Sequence, residues 1–156
     1  MVKKICSLIL CLFLFSCNKP APKISNLQSE LVPIEKQWLI VTYWAAWCGY
    51  CRAEIPNLNQ LQQEFGSKVT VIALNYDHLS RKNNKLEQEV KQLSIEVNVL
   101  DQYGTKQFSN HFGLKKPKAI PTTIIIDKKG KVRKKLVGQQ GASKIKQELS
   151  SLGFSN

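Results

Sequence analysis

Between Leu39 and Leu74 the hydrophobic period of the chain changes twice, and few folds accommodate that change. Leu39 to Trp44 is a short apolar, β-branched and aromatic run; Val69 to Leu74 is a second one, bounded by Ser67 and Asn75. Both read as buried strands. Between them Ile55, Leu58, Leu61 and Phe65 recur at helical spacing, which predicts a helix from Cys51 to Phe65 with one apolar stripe. A strand, a helix and a second strand in one sheet imply a crossover and therefore a parallel pair. Cys48 and Cys51 fall where the first strand gives way to the helix.

The remainder fits around this unit. Leu86 to Leu93 reads as a more polar helix, Val97 to Leu100 as a short extra strand, and Asp101 to Gly104 as a turn before a third helix that runs through His111. Thr122 to Ile126 and Val132 to Val137, joined by Asp127-Lys128-Lys129-Gly130, predict an antiparallel hairpin that ends at Gly138. Ser143 is expected to cap a last helix with Ile145, Leu149 and Leu152 on one face. The expected fold is thus α/β, with a central mixed β-sheet flanked by helices. A chain of 156 residues suits one such domain, expected over 37–156. Pro20, Pro22, Pro33, Ser25 and Ser29 mark 17–36 as a tether.

Lys3 and Lys4 precede an apolar run from Ile5 to Phe15, the pattern of a secretory leader over residues 1–16. As a helix the run would rise roughly 17 Å, well short of a hydrocarbon core roughly 30 Å thick. Leu14-Phe15-Ser16-Cys17 resembles the bacterial lipobox, so Cys17 is expected to carry lipid and to anchor the chain rather than span the membrane. Cys6 and Cys11 would leave with the leader, and the exported domain would keep only Cys48 and Cys51. One pair closing a four-residue loop adds little rigidity, so the pair is expected to be reactive.

A thiol at a helix N-terminus meets unpaired N–H groups and the positive end of the helix dipole, which favours the thiolate. Cys-x-x-Cys also occurs in zinc sites, but only His78 and His111 remain as good further ligands and no second cysteine pair is present. Covalent haem attachment requires histidine after the second cysteine, where this chain has Arg52. Neither a metal nor another cofactor is expected. No nucleic-acid motif is present. Loss of Lys3 and Lys4 from 23 basic residues, set against 11 acidic ones, lowers the net charge from +12 to +10. Much of the excess lies late in the chain, from Lys115 to Lys135, chiefly as solvated loops and strand faces, with anionic lipid or an acidic partner as the functional alternative.

Leu39 to Cys51, which includes Trp44-Ala45-Ala46-Trp47-Cys48-Gly49-Tyr50-Cys51, resembles the active-site segment of the thioredoxin-like superfamily. Arg52-Ala53-Glu54-Ile55-Pro56, and the stretch from Ala119-Ile120-Pro121-Thr122 to Gly130-Lys131, are similar to its TlpA/ResA branch, the DsbE/CcmG type. The resemblance covers residues 38–152. It implies a thiol-disulfide oxidoreductase with a cis Pro121, whose loop lies against the cysteines and offers backbone groups to a substrate strand. It further implies that Cys48 attacks, Cys51 resolves and Glu54, partly buried, moves a proton at Cys51. Trp47 is expected at the edge of the site, Ile120 and Pro121 in substrate binding, and Gly49 and Tyr50 in setting the redox poise. Implied partners are disulfide-containing envelope proteins, apocytochrome c among them, and a membrane electron donor. Two features depart from the branch: Tyr50 stands where proline is common, and Leu114 to Ala119 lengthens the connection before Pro121. A copper chaperone of similar fold is the alternative, though such proteins use a longer cysteine spacing. A peroxidatic enzyme would carry a lone cysteine preceded by threonine and proline, a motif that Thr42 alone does not make.

Overall fold

A computed structural model describes residues 24–25, 36–77 and 83–155. In chain order its elements are β1 Ile24–Ser25, β2 Trp38–Trp44, α1 Gly49–Phe65, β3 Val69–Asn75, α2 Asn83–Gln92, β4 Asn98–Leu100, α3 Gln102–His111, β5 Thr122–Ile126, β6 Val132–Val137 and α4 Ala142–Ser151. The strands make one sheet in the order β1-β4-β3-β2-β5-β6. β1, β4, β3 and β2 are parallel, and β5 runs antiparallel to both β2 and β6. The expected mixed sheet is present. Ile24–Ser25, inside the segment read as a tether, pair with Val99 and Leu100, so the sheet begins earlier than residue 37. The leader and Cys17 lie outside the described residues.

Every residue of β2 is buried, because helices cover both faces of the sheet. Ile40, Val71 and Ile125 meet Ile55, Leu58 and Leu61 of α1 and Ile145 and Leu149 of α4 on one side. Leu39, Val41, Ile72 and Ile124 meet Phe108 of α3 on the other. A fully buried side chain of this size contributes about 1.5–3 kcal/mol through loss of contact with water, so α1 is held mainly by its apolar stripe.

The ends of the elements differ from the sequence reading for local reasons. α1 begins at Gly49, two residues before Cys51, because Cys48 acts as its cap. α2 begins at Asn83 instead of Leu86, in a polar stretch that carries no apolar period. The segment from Asp101 to Gly104 is not a free turn: the Asp101 carboxylate accepts from Gly104 N at 2.7 Å and starts α3 at Gln102. Ser143 does not cap α4; it lies in the first turn, and Gly141, at φ +76°, holds the cap position without a side-chain bond from its own helix.

The β5–β6 hairpin forms as expected, pinned by Asp127. Its carboxylate accepts from Lys129 N at 2.9 Å, Lys131 N at 3.0 Å and Arg133 Nη1 at 3.0 Å. Burial opposes that charge, but these donors outweigh it and hold the Asp127 pKa below the usual carboxylate value. Gly130 supplies the positive φ of +74° that the turn requires. β6 is an edge strand of which only Leu136 is buried.

Candidate active site

Cys48 has extended backbone (φ −84°, ψ 110°), which points its sulfur back over the start of α1, where it accepts from Cys51 N at 3.2 Å. Cys48 and Cys51 form a disulfide with Cα atoms 5.2 Å apart, within the ordinary range for such a bond. Both are buried in this oxidised form, but unequally: Cys48 keeps 7% of its surface and Cys51 1%. The more accessible sulfur is therefore also the one at the helix terminus, where the dipole stabilises a thiolate.

The Ile120–Pro121 bond is cis, as the resemblance implies. It brings the Ile120 carbonyl oxygen to 3.7 Å from Cys48 Sγ. Thr122 Oγ1 donates to Ala119 O at 2.7 Å and Gly138 N donates to Pro121 O at 2.8 Å, so the loop is fixed from both sides. Trp47 and Tyr50 are exposed around the pair, and a side chain at Gly49 would meet open space. Trp47 Nε1 donates to Asp77 Oδ1 at 2.8 Å, which ties the exposed indole to the end of β3. Asp77 had no signal in the sequence beyond being a polar residue just after a strand.

Glu54 lies three residues after Cys51, a spacing that places both on one face of α1. It is fully buried rather than partly so, with 1% of its surface exposed. Its carboxylate accepts from Gln140 N at 3.1 Å and from Gly141 N at 3.2 Å. Burial raises the Glu54 pKa, and the two backbone donors only partly offset it. These donors precede α4, so Glu54 supplies from another helix the bonds that Ser143 does not. Thr42, buried on β2, bonds Thr123 Oγ1 at 2.9 Å across β2 and β5. His111 packs edge-on against Phe112 away from the cysteines, and His78 lies outside the described residues. Among the described residues no three His, Cys, Asp or Glu side chains converge as metal ligands.

A buried dithiol at a helix terminus, open on one side to a backbone carbonyl and an exposed tryptophan, is a geometry for thiol-disulfide exchange. The family model described as AhpC/TSA matches residues 17–135. The chain belongs to the AhpC/TSA family. This family member is 30% identical over 126 residues to the thiol-disulfide oxidoreductase ResA of Geobacillus thermodenitrificans, covering 80% of the present chain and 68% of the relative. ResA of Bacillus cereus is 29% identical over 126 residues, with 79% and 68% covered. Among solved structures, a putative thiol:disulfide interchange protein DsbE from Chlorobium tepidum is 30% identical, with a TM-score of 0.59 over 78% of this chain and 82% of its own. A DsbF homologue from Corynebacterium diphtheriae shares the fold at a TM-score of 0.65 and 23% identity, over 78% and 75% of the two chains. With its cysteines at disulfide distance, this AhpC/TSA protein is a thiol-disulfide oxidoreductase of thioredoxin-like fold.

Proposed function

We propose that the protein reduces disulfides of exported polypeptides from the outer side of a bacterial membrane, with Cys48 as the attacking and Cys51 as the resolving sulfur. The observation that carries this reading is the asymmetry of the pair: Cys48 caps α1 and faces the Ile120 carbonyl, whereas Cys51 is closed off beneath it. In the reduced protein the Cys48 thiolate attacks one sulfur of the partner disulfide. That S–S bond breaks, the departing partner sulfur takes a proton, and a mixed disulfide remains. Cys51, losing its proton, then attacks Cys48 Sγ and expels the second partner sulfur as a thiol. The partner gains two electrons and two protons, and the protein is left with the Cys48–Cys51 disulfide.

Glu54 is the group placed to take the Cys51 proton, since it is buried on the same helix face and holds its own proton more tightly than an exposed carboxylate. Trp47, Ile120 and Pro121 offer the docking surface, while Gly49 and Tyr50 set the poise of the pair. A membrane dithiol protein returns the electrons by the same steps in reverse. Export and lipid attachment at Cys17 are supported by the leader, and apocytochrome c maturation by the resemblance to the TlpA/ResA branch. Among the described residues no helix is long and apolar enough to cross a membrane.

The decisive experiment is trapping. Cys51→Ser should accumulate dithiothreitol-sensitive mixed disulfides with envelope proteins on a non-reducing gel, and Cys48→Ser should accumulate far fewer. Equal trapping by the two variants, or none by either, would overturn the assignment. Mass spectrometry of the trapped species names the substrate.

A further inference from the structure

On the α3 side of the sheet a cavity of about 210 Å³ opens at the ends of β2 and β3. Tyr43, Tyr76, Ser109 and Leu114 line it, together with Lys106 and Lys116. The Tyr43 and Ser109 hydroxyls are 2.7 Å apart, the Tyr76 hydroxyl donates to Pro117 O at 3.2 Å, and Lys116 Nζ sits 4.0 Å from the centre of the Tyr76 ring. One wall is therefore built by the segment from Leu114 to Ala119, the longer connection that sets this chain apart from the branch it resembles. Among the described residues no carboxylate lines the cavity, and neither lysine pairs with one. Two cations without a carboxylate partner, one of them resting on the Tyr76 ring, over a largely apolar hollow favour a ligand with a short methylene stem and a negative end.

The same segment leads to the reacting sulfur. Lys116 and Ile120 are four residues apart, so their Cα atoms are separated by at most about 14 Å. The Ile120 carbonyl is 3.7 Å from Cys48 Sγ. Tyr76 closes the other side, its N–H donating to the Trp44 carbonyl at 2.8 Å, where β2 ends before the cysteines. The cavity thus lies within reach of side chains up to roughly five residues from a cysteine held at Cys48.

We propose that this cavity receives an Asp or Glu side chain of the substrate polypeptide, set a few residues from the cysteine under attack. The proposal rests on the disulfide-reductase reading and narrows its substrates to disulfides with an acidic flank. The test uses two synthetic peptides, each with one internal disulfide, that differ only by Glu or Gln four residues from the nearer cysteine. Their second-order rates of reduction by the full-length, pre-reduced protein are compared at low ionic strength. The Glu peptide should react about fivefold faster, the scale of two partly exposed ion pairs. Lys106→Gln with Lys116→Gln should bring the ratio to about one and leave the Gln peptide's rate unchanged. A ratio of one in the wild type, or a preference that survives the double substitution, would overturn the proposal. So would equal slowing of both peptides by succinate, which assigns the cavity to a free small anion. Failure to reduce either peptide would instead overturn the reductase reading, and the proposal with it.

Discussion

On the α1 and α4 side of the sheet Cys51, Glu54 and Leu61 are shut away from water, whereas the α3 side packs around Phe108 and leaves an open hollow beside Tyr43. The first side holds the groups to which the proposed function gives the proton chemistry. A buried carboxylate near a sulfur is useful only if water cannot level its pKa. The second side holds a surface that reads a partner, and reading requires access. One sheet serves both because β2 is buried on each face and its far end delivers the cysteines between them.

That division can be tested by substitution. Phe108→Ala should cost about 3–5 kcal/mol and Leu61→Ala about 2–5 kcal/mol in chemical denaturation, since both side chains are fully buried. Both variants should shift the denaturant midpoint, but only Leu61→Ala, on the helix that carries the cysteines, should also change the rate of disulfide exchange. An altered exchange rate in Phe108→Ala at full folding would show that the two faces are not independent.

Thr42→Val should cost about 1–3 kcal/mol, because it leaves the buried Thr123 hydroxyl without its 2.9 Å partner. Adding Thr123→Val should recover most of that loss, and a double variant no better than the single would refute the pairing.

Glu54 yields a prediction with a sign. Its folded pKa lies above the ordinary carboxylate value, so the folded protein binds more protons than the unfolded chain between those two pKa values. Its contribution is fully present below the ordinary value and is lost as pH rises through the raised one. Wild-type stability should therefore fall across that window, whereas Glu54→Gln should stay level there. Parallel falls in both proteins would remove Glu54 as the cause. The exchange rate of the variant should likewise lose the pH dependence that Glu54 gives the wild type. The smallest effect belongs to Asp77→Ala, expected to change stability by about 1 kcal/mol because the Trp47 contact is exposed. Fluorescence quenching should find Trp47 more mobile; unchanged quenching would mean that Asp77 does not hold it.

What the sequence made legible follows the same physics. The cysteine pair on a helix start, the cis proline, the hairpin around Asp127 and the glutamate one turn into α1 are written in local spacing and motif. The partners of those groups are not. Glu54 meets Gly141 across 87 positions, and Trp47 meets Asp77 across 30. Such bonds leave no period in the chain. β1 is too short to form a pattern, and Gly104 reads as a turn until Asp101 is seen to cap the helix. The cavity escaped notice because its wall is a lysine-rich connection, which in isolation reads as solvated surface.

β6 closes one margin of the sheet with its outer backbone groups free of any strand. Such a margin invites a second copy to add its own strand, and attachment of many copies to one surface would make those meetings frequent. Arg133, Lys134 and Lys135 are exposed in succession there. Asp127 and Glu148 pair with the first two, and two such margins brought together would set one Lys135 against another, which opposes edge-to-edge pairing.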